Sequence, residues 1–313
     1  MGTSSGVPLP GKRNVSSMLL QFANGRCILI DCGEGTQHQL MQCNVRMNRI
    51  TSILLTHLHG DHCYGVFGLI HSLNMGGRTE DLYICAPRGV RELIETVLRL
   101  TGGWNGYKLV IEELDADNVT KFSVPIGDSD RIDVTACPME HRVPTVGYVF
   151  QESTKVGALD AALARSLGAS GAQLGELKMG KDVTVKDNSS GVDRVIKASE
   201  VLGPSIEPRT VGILQDTSNG SSAVPYLRNC ALLVHECTYE RKLRDKAIEY
   251  GHSTSEMAAQ LAKEIKPQVL ALTHFSAKYE DIELENLKSE AEEVLVGINC
   301  KVTVARDFLE VNI

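Results

Sequence analysis

The chain has 313 residues, 42% hydrophobic and 23% charged, enough for one large globular domain or two modest ones. No run approaches the roughly 20 apolar residues of a membrane-spanning helix, and the opening Met1-Gly2-Thr3-Ser4-Ser5-Gly6 lacks the charged-then-apolar pattern of a signal peptide. A formal net charge of −7 argues against a uniformly basic polyanion binder, and nine cysteines without a C-x-x-C pair point to reduced thiols in a cytosol-like compartment.

Apolar runs at 17–22 and 26–31 flank Asn24-Gly25 and predict a hairpin. A helix over 36–44 and a strand over 49–56 follow. Residues 65–73 read as a helix with Val66, Phe67, Leu69, Ile70 and Leu73 as its apolar positions. A strand at 81–86, a helix at 88–100 and strands near 108–113, 131–136 and 146–150 come next. From 151 to 208 glycines punctuate the chain and large apolar residues thin out, so this segment reads as an extended, mobile insertion with one short helix at 158–167. Core returns with strands at 211–214, 231–234 and 269–272. The capping-box pattern from Ser253 to Glu256 opens a helix over 254–264. Residues 280–293 carry seven acidic side chains against Lys288 and predict the solvated face of a late helix, before two strands near 301–305 and 308–312.

Asp31, His57, Asp216, His235 and His274 each sit just past an apolar β-like run. Residues at the same ends of several strands converge on one edge of a layered structure, so the predicted class is α/β, with two mixed sheets and helices outside. The densest stretch is Thr56-His57-Leu58-His59-Gly60-Asp61-His62, three imidazoles and a carboxylate within six residues. Imidazole nitrogen and carboxylate oxygen are preferred ligands of first-row metals, and Gly60 is expected to let the turn close on one point. Two zinc ions account for the wider set: His57, His59 and His141 on one, Asp61, His62 and His274 on the other, and Asp216 bridging. A zinc pair sharing a water lowers its pKa toward ~7 and suits hydrolysis of a phosphodiester. His38 and His71 fall in helical stretches and read as structural. Lys12, Arg13, Arg26, Arg46 and Arg49 outweigh Asp31 and Glu34 in the first 50 residues, which predicts a basic face near the active centre.

The order of His57-x-His59-x-Asp61-His62, His141, Asp216 and His274 resembles the metallo-β-lactamase superfamily. Within it, essentially the whole chain is similar to the ribonuclease Z family of tRNA 3′-end processing endonucleases, short form. Gly2-Thr3-Ser4-Ser5-Gly6-Val7-Pro8, Pro10-Gly11-Lys12-Arg13, Asp31 to Gln37, His235-Glu236-Cys237-Thr238 and His252-Ser253-Thr254 look like that family's motifs. The resemblance implies a four-layer αββα sandwich over 1–150 and 209–313, with 151–208 as a flexible arm that grips tRNA. It also implies a zinc-dependent endoribonuclease that removes 3′ trailers from tRNA precursors, and a homodimer. By the same resemblance Asp61 is ligand and proton acceptor, and His235 protonates the departing 3′ oxygen. Lys12, Arg13, His252, Ser253 and Thr254 contact substrate, and Asp31 and Glu236 orient ligands. Lys178 and Lys181 are the arm residues expected to meet phosphates.

The chain departs from the family pattern in three places. A strand before the Gly-Thr opening is absent, so the chain reads as truncated and an upstream peptide directing it to nucleus or organelle stays open. Leu214-Gln215-Asp216 replaces a Gly-Asp, and the arm near Ala169-Ser170-Gly171-Ala172 lacks Gly-Pro character. The alternatives are another hydrolase of this fold acting on a small ester, thioester or lactam, and an RNA-binding homologue that does not cleave.

Overall fold

The computed structural model describes all residues except 104–105, 128–129, 155, 187–191 and 206. The first sheet contains β1 (Met18–Gln21), β2 (Cys27–Ile30), β3 (Ile50–Leu54), β4 (Leu82–Pro87) and β5 (Leu109–Leu114), in that order. β1 and β2 form the antiparallel hairpin around Asn24-Gly25, and β2 to β5 run parallel. The second sheet contains β6 (Thr120–Pro125), β7 (Arg131–Met139), β8 (Thr145–Gln151), β9 (Thr210–Leu214), β10 (Leu232–Glu236), β11 (Val269–Thr273) and β12 (Lys301–Val304). β6 to β9 pair antiparallel in sequence, and β9 to β12 run parallel.

Strand parity builds the layers. On β2, Ile28 and Ile30 face a core shared with Val134, Tyr148, Phe150, Ile213 and Val234 of the second sheet. Cys27 and Leu29 face the opposite way, toward the helices at Gly65–Met75 and Val90–Leu100. On β10, Leu232 and Val234 face the inter-sheet core, while Leu233 packs with the helices at Ser255–Ile265 and Asp281–Val294. Both faces of the central strands are thus covered, which is why β2, β10 and β11 are apolar over most of their length. The result is the expected αββα sandwich.

Residues 152–208 form a second compact unit. It is not the extended segment the composition predicts. Helices at Ala161–Ser166, Ala172–Lys178 and Ala198–Val201 and an antiparallel pair, Val183–Lys186 with Asp193–Ile196, close around Ala164, Ala169, Leu177, Val183, Val185, Ile196 and Val201. The core combines alanine and valine with Leu177 and Ile196, and Leu159, Leu167, Leu174 and Leu202 pack against it. Lys178 and Lys181 are exposed on this unit.

Three further expectations are corrected. β6 is absent from the predicted elements; its alternation of Phe122 and Val124 with Lys121 and Ser123 is short and ends on Pro125. Residues 308–312 are not a strand: Phe308 has φ 66°, and both Phe308 and Leu309 are exposed. The late capping pattern shifts by one residue, with Thr254 rather than Ser253 accepting the helix N–H, from Met257 at 3.3 Å.

Candidate metal centre

The strand ends deliver the donors. Asp31 follows β2, Thr56 and His57 follow β3, Asp216 follows β9, and His274 follows β11. His57 Nε2, His59 Nδ1, His141 Nε2 and Asp216 Oδ2 form one set, separated by 3.0 Å (His57–His59), 3.2 Å (His59–His141) and 3.7 Å from Asp216 to both His57 and His141. Asp61 Oδ2, His62 Nε2, His274 Nε2 and Asp216 Oδ1 form the other. Its edges are 3.1 Å (His62–His274), 3.2 and 3.3 Å to Asp216, and 3.5 and 3.6 Å to Asp61. Four donors placed tetrahedrally at ~2.0–2.1 Å from a metal stand about 3.3–3.4 Å apart. The distances in both sets bracket that separation, so each set offers donors spaced for a divalent ion, with Asp216 Oδ1 reaching His62 and His274 of the second. Asp216 Oδ1, buried and without a hydrogen bond, is the kind of orphaned atom a cation satisfies.

Electrostatics agree. Burial holds His57 well below the usual imidazole pKa and lowers His59 and His141, leaving neutral rings with free lone pairs. Burial acts the same way on His62, but Asp216 and Asp31 outweigh it and hold this ring well above its ordinary value. Burial pushes Asp216 upward, but His274, His62 and His57 hold it well below the carboxylate range. The donor set is thus arranged for positive charge at its centre.

Four of the five rings, all but His59, are aimed by a partner on the far nitrogen. Asp31 accepts from His62 Nδ1 at 2.7 Å and from the Thr56 hydroxyl at 3.0 Å, and that hydroxyl lies 3.1 Å from His57 Nδ1. On the second sheet, Glu236 accepts from the Thr238 hydroxyl at 2.6 Å, and this hydroxyl lies 3.0 Å from His274 Nδ1. His141 Nδ1 donates to the Gly251 carbonyl at 2.6 Å. Two carboxylate–threonine–histidine chains, one from each sheet, thus fix one imidazole of each donor set. Asp31 (φ 56°) and His274 (φ 59°) adopt left-handed backbone where the strands turn into the site, a conformation costing of order 1 kcal/mol that the surrounding bonds sustain.

Ribonuclease BN of Citrobacter koseri is 37% identical over 312 residues, covering 98% of this chain and 97% of that protein. The ribonuclease BN of Escherichia coli O139:H28 is 34% identical over 317 residues, covering 100% and 98%. The chain belongs to the ribonuclease BN family. Its fold is that of the RNase Z-like metallo-β-lactamase proteins: human tRNase Z, short form, superposes with a TM-score of 0.66 at 28% identity, covering 98% of this chain and 95% of that one. The metallo-β-lactamase fold protein YhfI of Bacillus subtilis gives a TM-score of 0.63 at 18% identity, covering 97% and 93%, a likeness of fold. Residues 1–116 also match the family model described as Anti-Pycsar protein Apyc1.

Within this family member the metal donors expected from the sequence lie together, whereas several other expected site residues are placed differently. His235 is the main correction. β10 continues through Glu236, so alternation puts His235 on the helix side with Leu233 and swings Glu236 toward the metal donors. His235 is buried and its Nδ1 donates to the Glu236 carbonyl at 2.7 Å; a Cβ added at Gly220 would meet its Nε2 at 3.7 Å. The imidazole beside the metal donors is His252. Its Nδ1 donates to Glu236 Oε1 at 2.9 Å and lies 3.8 Å from Asp216, and its ring centroid is 5.2 Å from that of His141. Burial alone lowers this ring, but Glu236 outweighs it and raises the pKa to about 9.

Arg13 is buried and donates to the carbonyls of Ser276 and Tyr279, so it braces its loop rather than offering itself to substrate. Ser253 donates to the Thr217 carbonyl at 2.6 Å, and both it and the capping Thr254 are buried. Lys12 is exposed and paired with Glu280 at 2.6 Å. The basic face expected at the centre is elsewhere: Arg26, Arg46 and Arg49 precede β2 and β3 and line a cavity of ≈ 390 Å³ with Ser72 and Gly76, at the opposite strand ends. Beside the metal donors lies a cavity of ≈ 480 Å³ whose lining includes His59, Asp61, Asp216, His252, Tyr64 and Arg142. Tyr64 and Arg142 are not among the residues the sequence singles out, although Arg142 adjoins one metal donor and Tyr64 lies two positions beyond another.

Proposed function

We infer that the chain is a metal-dependent endoribonuclease of tRNA processing that removes 3′ trailers from tRNA precursors. The observation that carries this is Asp216, whose two oxygens reach histidines of two adjacent donor sets in a chain related to ribonuclease BN over nearly its full length. Two zincs would be held here, one by His57, His59, His141 and Asp216, the other by Asp61, His62, His274 and Asp216. When bound they would acidify a water and neutralise charge on the phosphoryl oxygens.

The chain's own groups do the rest. Asp61 lines the cavity and its Oδ2 accepts from the Gly6 N–H at 2.7 Å, leaving its other oxygen, Oδ1, to take a proton from the attacking water. Glu236 holds His252 in its protonated form through Nδ1, leaving Nε2 to protonate the departing 3′ oxygen in the role expected of His235. Lys12 can exchange its exposed Glu280 partner for a phosphate, since an exposed ion pair contributes only ~0–1 kcal/mol. Arg142 lines the same cavity and serves as a second phosphate contact. A homodimer belongs to this reading by family likeness.

The unit at 152–208 grips the RNA, with Lys178 and Lys181 among the side chains that meet phosphates. Gln151 and Thr210 are cross-strand partners on β8 and β9, so the whole unit can be replaced by a short Gly-Ser loop without opening the sheet. That variant is expected to cleave a tRNA precursor ~10²-fold or more slowly while hydrolysing a small phosphodiester within about threefold of the parent. For every phosphate that the shortened protein no longer neutralises, the log–log salt dependence of its RNA binding should flatten by ~0.7–0.9. Equal cleavage of precursor by both proteins would defeat the arm's role; failure of both activities would assign the unit to the fold.

A further inference from the structure

Tyr64 is 63% exposed at the rim of the catalytic cavity, two residues beyond the donor His62. An exposed aromatic beside a catalytic centre asks for an explanation, because solvent contact wastes its apolar area. Its backbone is held fast: the Tyr64 N–H bonds to the Gly60 carbonyl at 3.0 Å, and the next N–H, of Gly65, to the Cys32 carbonyl at 2.8 Å. Its ring lies on Gly60. A Cβ added at Gly60 would come within 2.4 Å of Tyr64 Cε2 and 2.7 Å of Cδ2 and Cζ. This also corrects the expected reason for glycine here. Gly60 opens the helical turn Gly60–Cys63 and is not among the left-handed residues, so the space it leaves for the ring is what the position requires. One face of the phenol is therefore supported by backbone, and the side chain remains largely open to the cavity. Val7 and Pro8 line the same cavity, which gives it apolar as well as charged walls.

We propose that Tyr64 is a stacking platform for the nucleobase of one of the two nucleotides that flank the scissile phosphate. Unpaired RNA bases bind proteins by stacking on aromatic rings in this way, with little dependence on base identity. A ring anchored two residues from a metal donor fixes the base at a set distance from the reacting phosphorus. The proposal rests on the reading that a tRNA precursor occupies this cavity.

The test uses the zinc-loaded protein, its Tyr64→Leu and Tyr64→Phe variants, and a tRNA precursor with an uncleavable linkage at the scissile position. 2-Aminopurine is placed at either flanking nucleotide. Its fluorescence is expected to be quenched at one position by the parent and by Tyr64→Phe, and not by Tyr64→Leu at equal occupancy. With cleavable precursor, Tyr64→Leu should lower kcat/KM by roughly 5- to 150-fold, the range of one base–aromatic stack, and Tyr64→Phe should stay within about threefold. An abasic nucleotide at the stacked position should abolish the difference between parent and Tyr64→Leu. Equal quenching by Tyr64→Leu, or the same rate reduction on intact and abasic precursor, overturns the platform and leaves the endoribonuclease reading standing. A parent protein that neither binds nor cleaves precursor overturns both.

Discussion

Asp216→Ala is expected to empty both donor sets and to lower precursor cleavage by at least ~10³-fold. Its Oδ2 stands 3.7 Å from His57 and His141, and its Oδ1 stands 3.2–3.3 Å from His274 and His62. No other carboxylate is shared in this way among the described residues that could hold an ion. Removing it leaves three donors on each side and withdraws the negative charge that makes the centre attractive to a cation. Charge neutralisation at a phosphoryl centre contributes several kcal/mol to the transition state, and each ~1.4 kcal/mol is tenfold in rate. Elemental analysis of the purified variant checks the first half, with His38→Ala as the control that keeps its metal. Full occupancy in Asp216→Ala would rule out the bridging assignment. Metal binds the folded state, so the parent should also melt at lower temperature after chelation, and Asp216→Ala should show little further change.

The second large effect separates two histidines that the sequence presents alike. His252→Ala should slow single-turnover cleavage by ~10²–10⁴-fold, the range of general acid catalysis, while keeping bound metal. His235→Ala should leave that rate within about threefold and instead lower stability by ~1–3 kcal/mol in urea unfolding, because it opens a hole on the helix side of β10. The reverse outcome, a slow His235→Ala and a normal His252→Ala, would restore the role that the family motif implies for His235.

The two histidines mark where the sequence is legible and where it is not. A ligand at the end of an apolar run needs only the run to be recognised, and Asp31, His57, Asp216 and His274 are each visible on that basis. His235 needs one fact more, the residue at which β10 ends. Its pairing with Leu272, and that of Glu236 with Thr273, extends the strand by two positions and decides which side chain turns inward. That register belongs to the neighbouring strand and is invisible in a local reading. Arg13 meets the same limit: an arginine in a polar loop looks available, and only the fold brings the Ser276 and Tyr279 carbonyls to it. The arm is obscure for a different reason. Six of its eight buried core residues are alanine or valine, and its leucines are scattered between glycines, so the periodic contrast is weak. Tyr64 is hidden by its own motif, since the histidines around it dominate the stretch and only the fold lays its ring on Gly60.

The most direct measurement is end-mapping of the products of a 3′-extended tRNA precursor, with and without chelator, beside a thioester control. One internal cut should release the trailer as an intact fragment, abolished on chelation and restored by zinc, with the thioester untouched. Precursor left whole by a zinc-loaded protein, or hydrolysis of the thioester instead, would contradict the endoribonuclease reading.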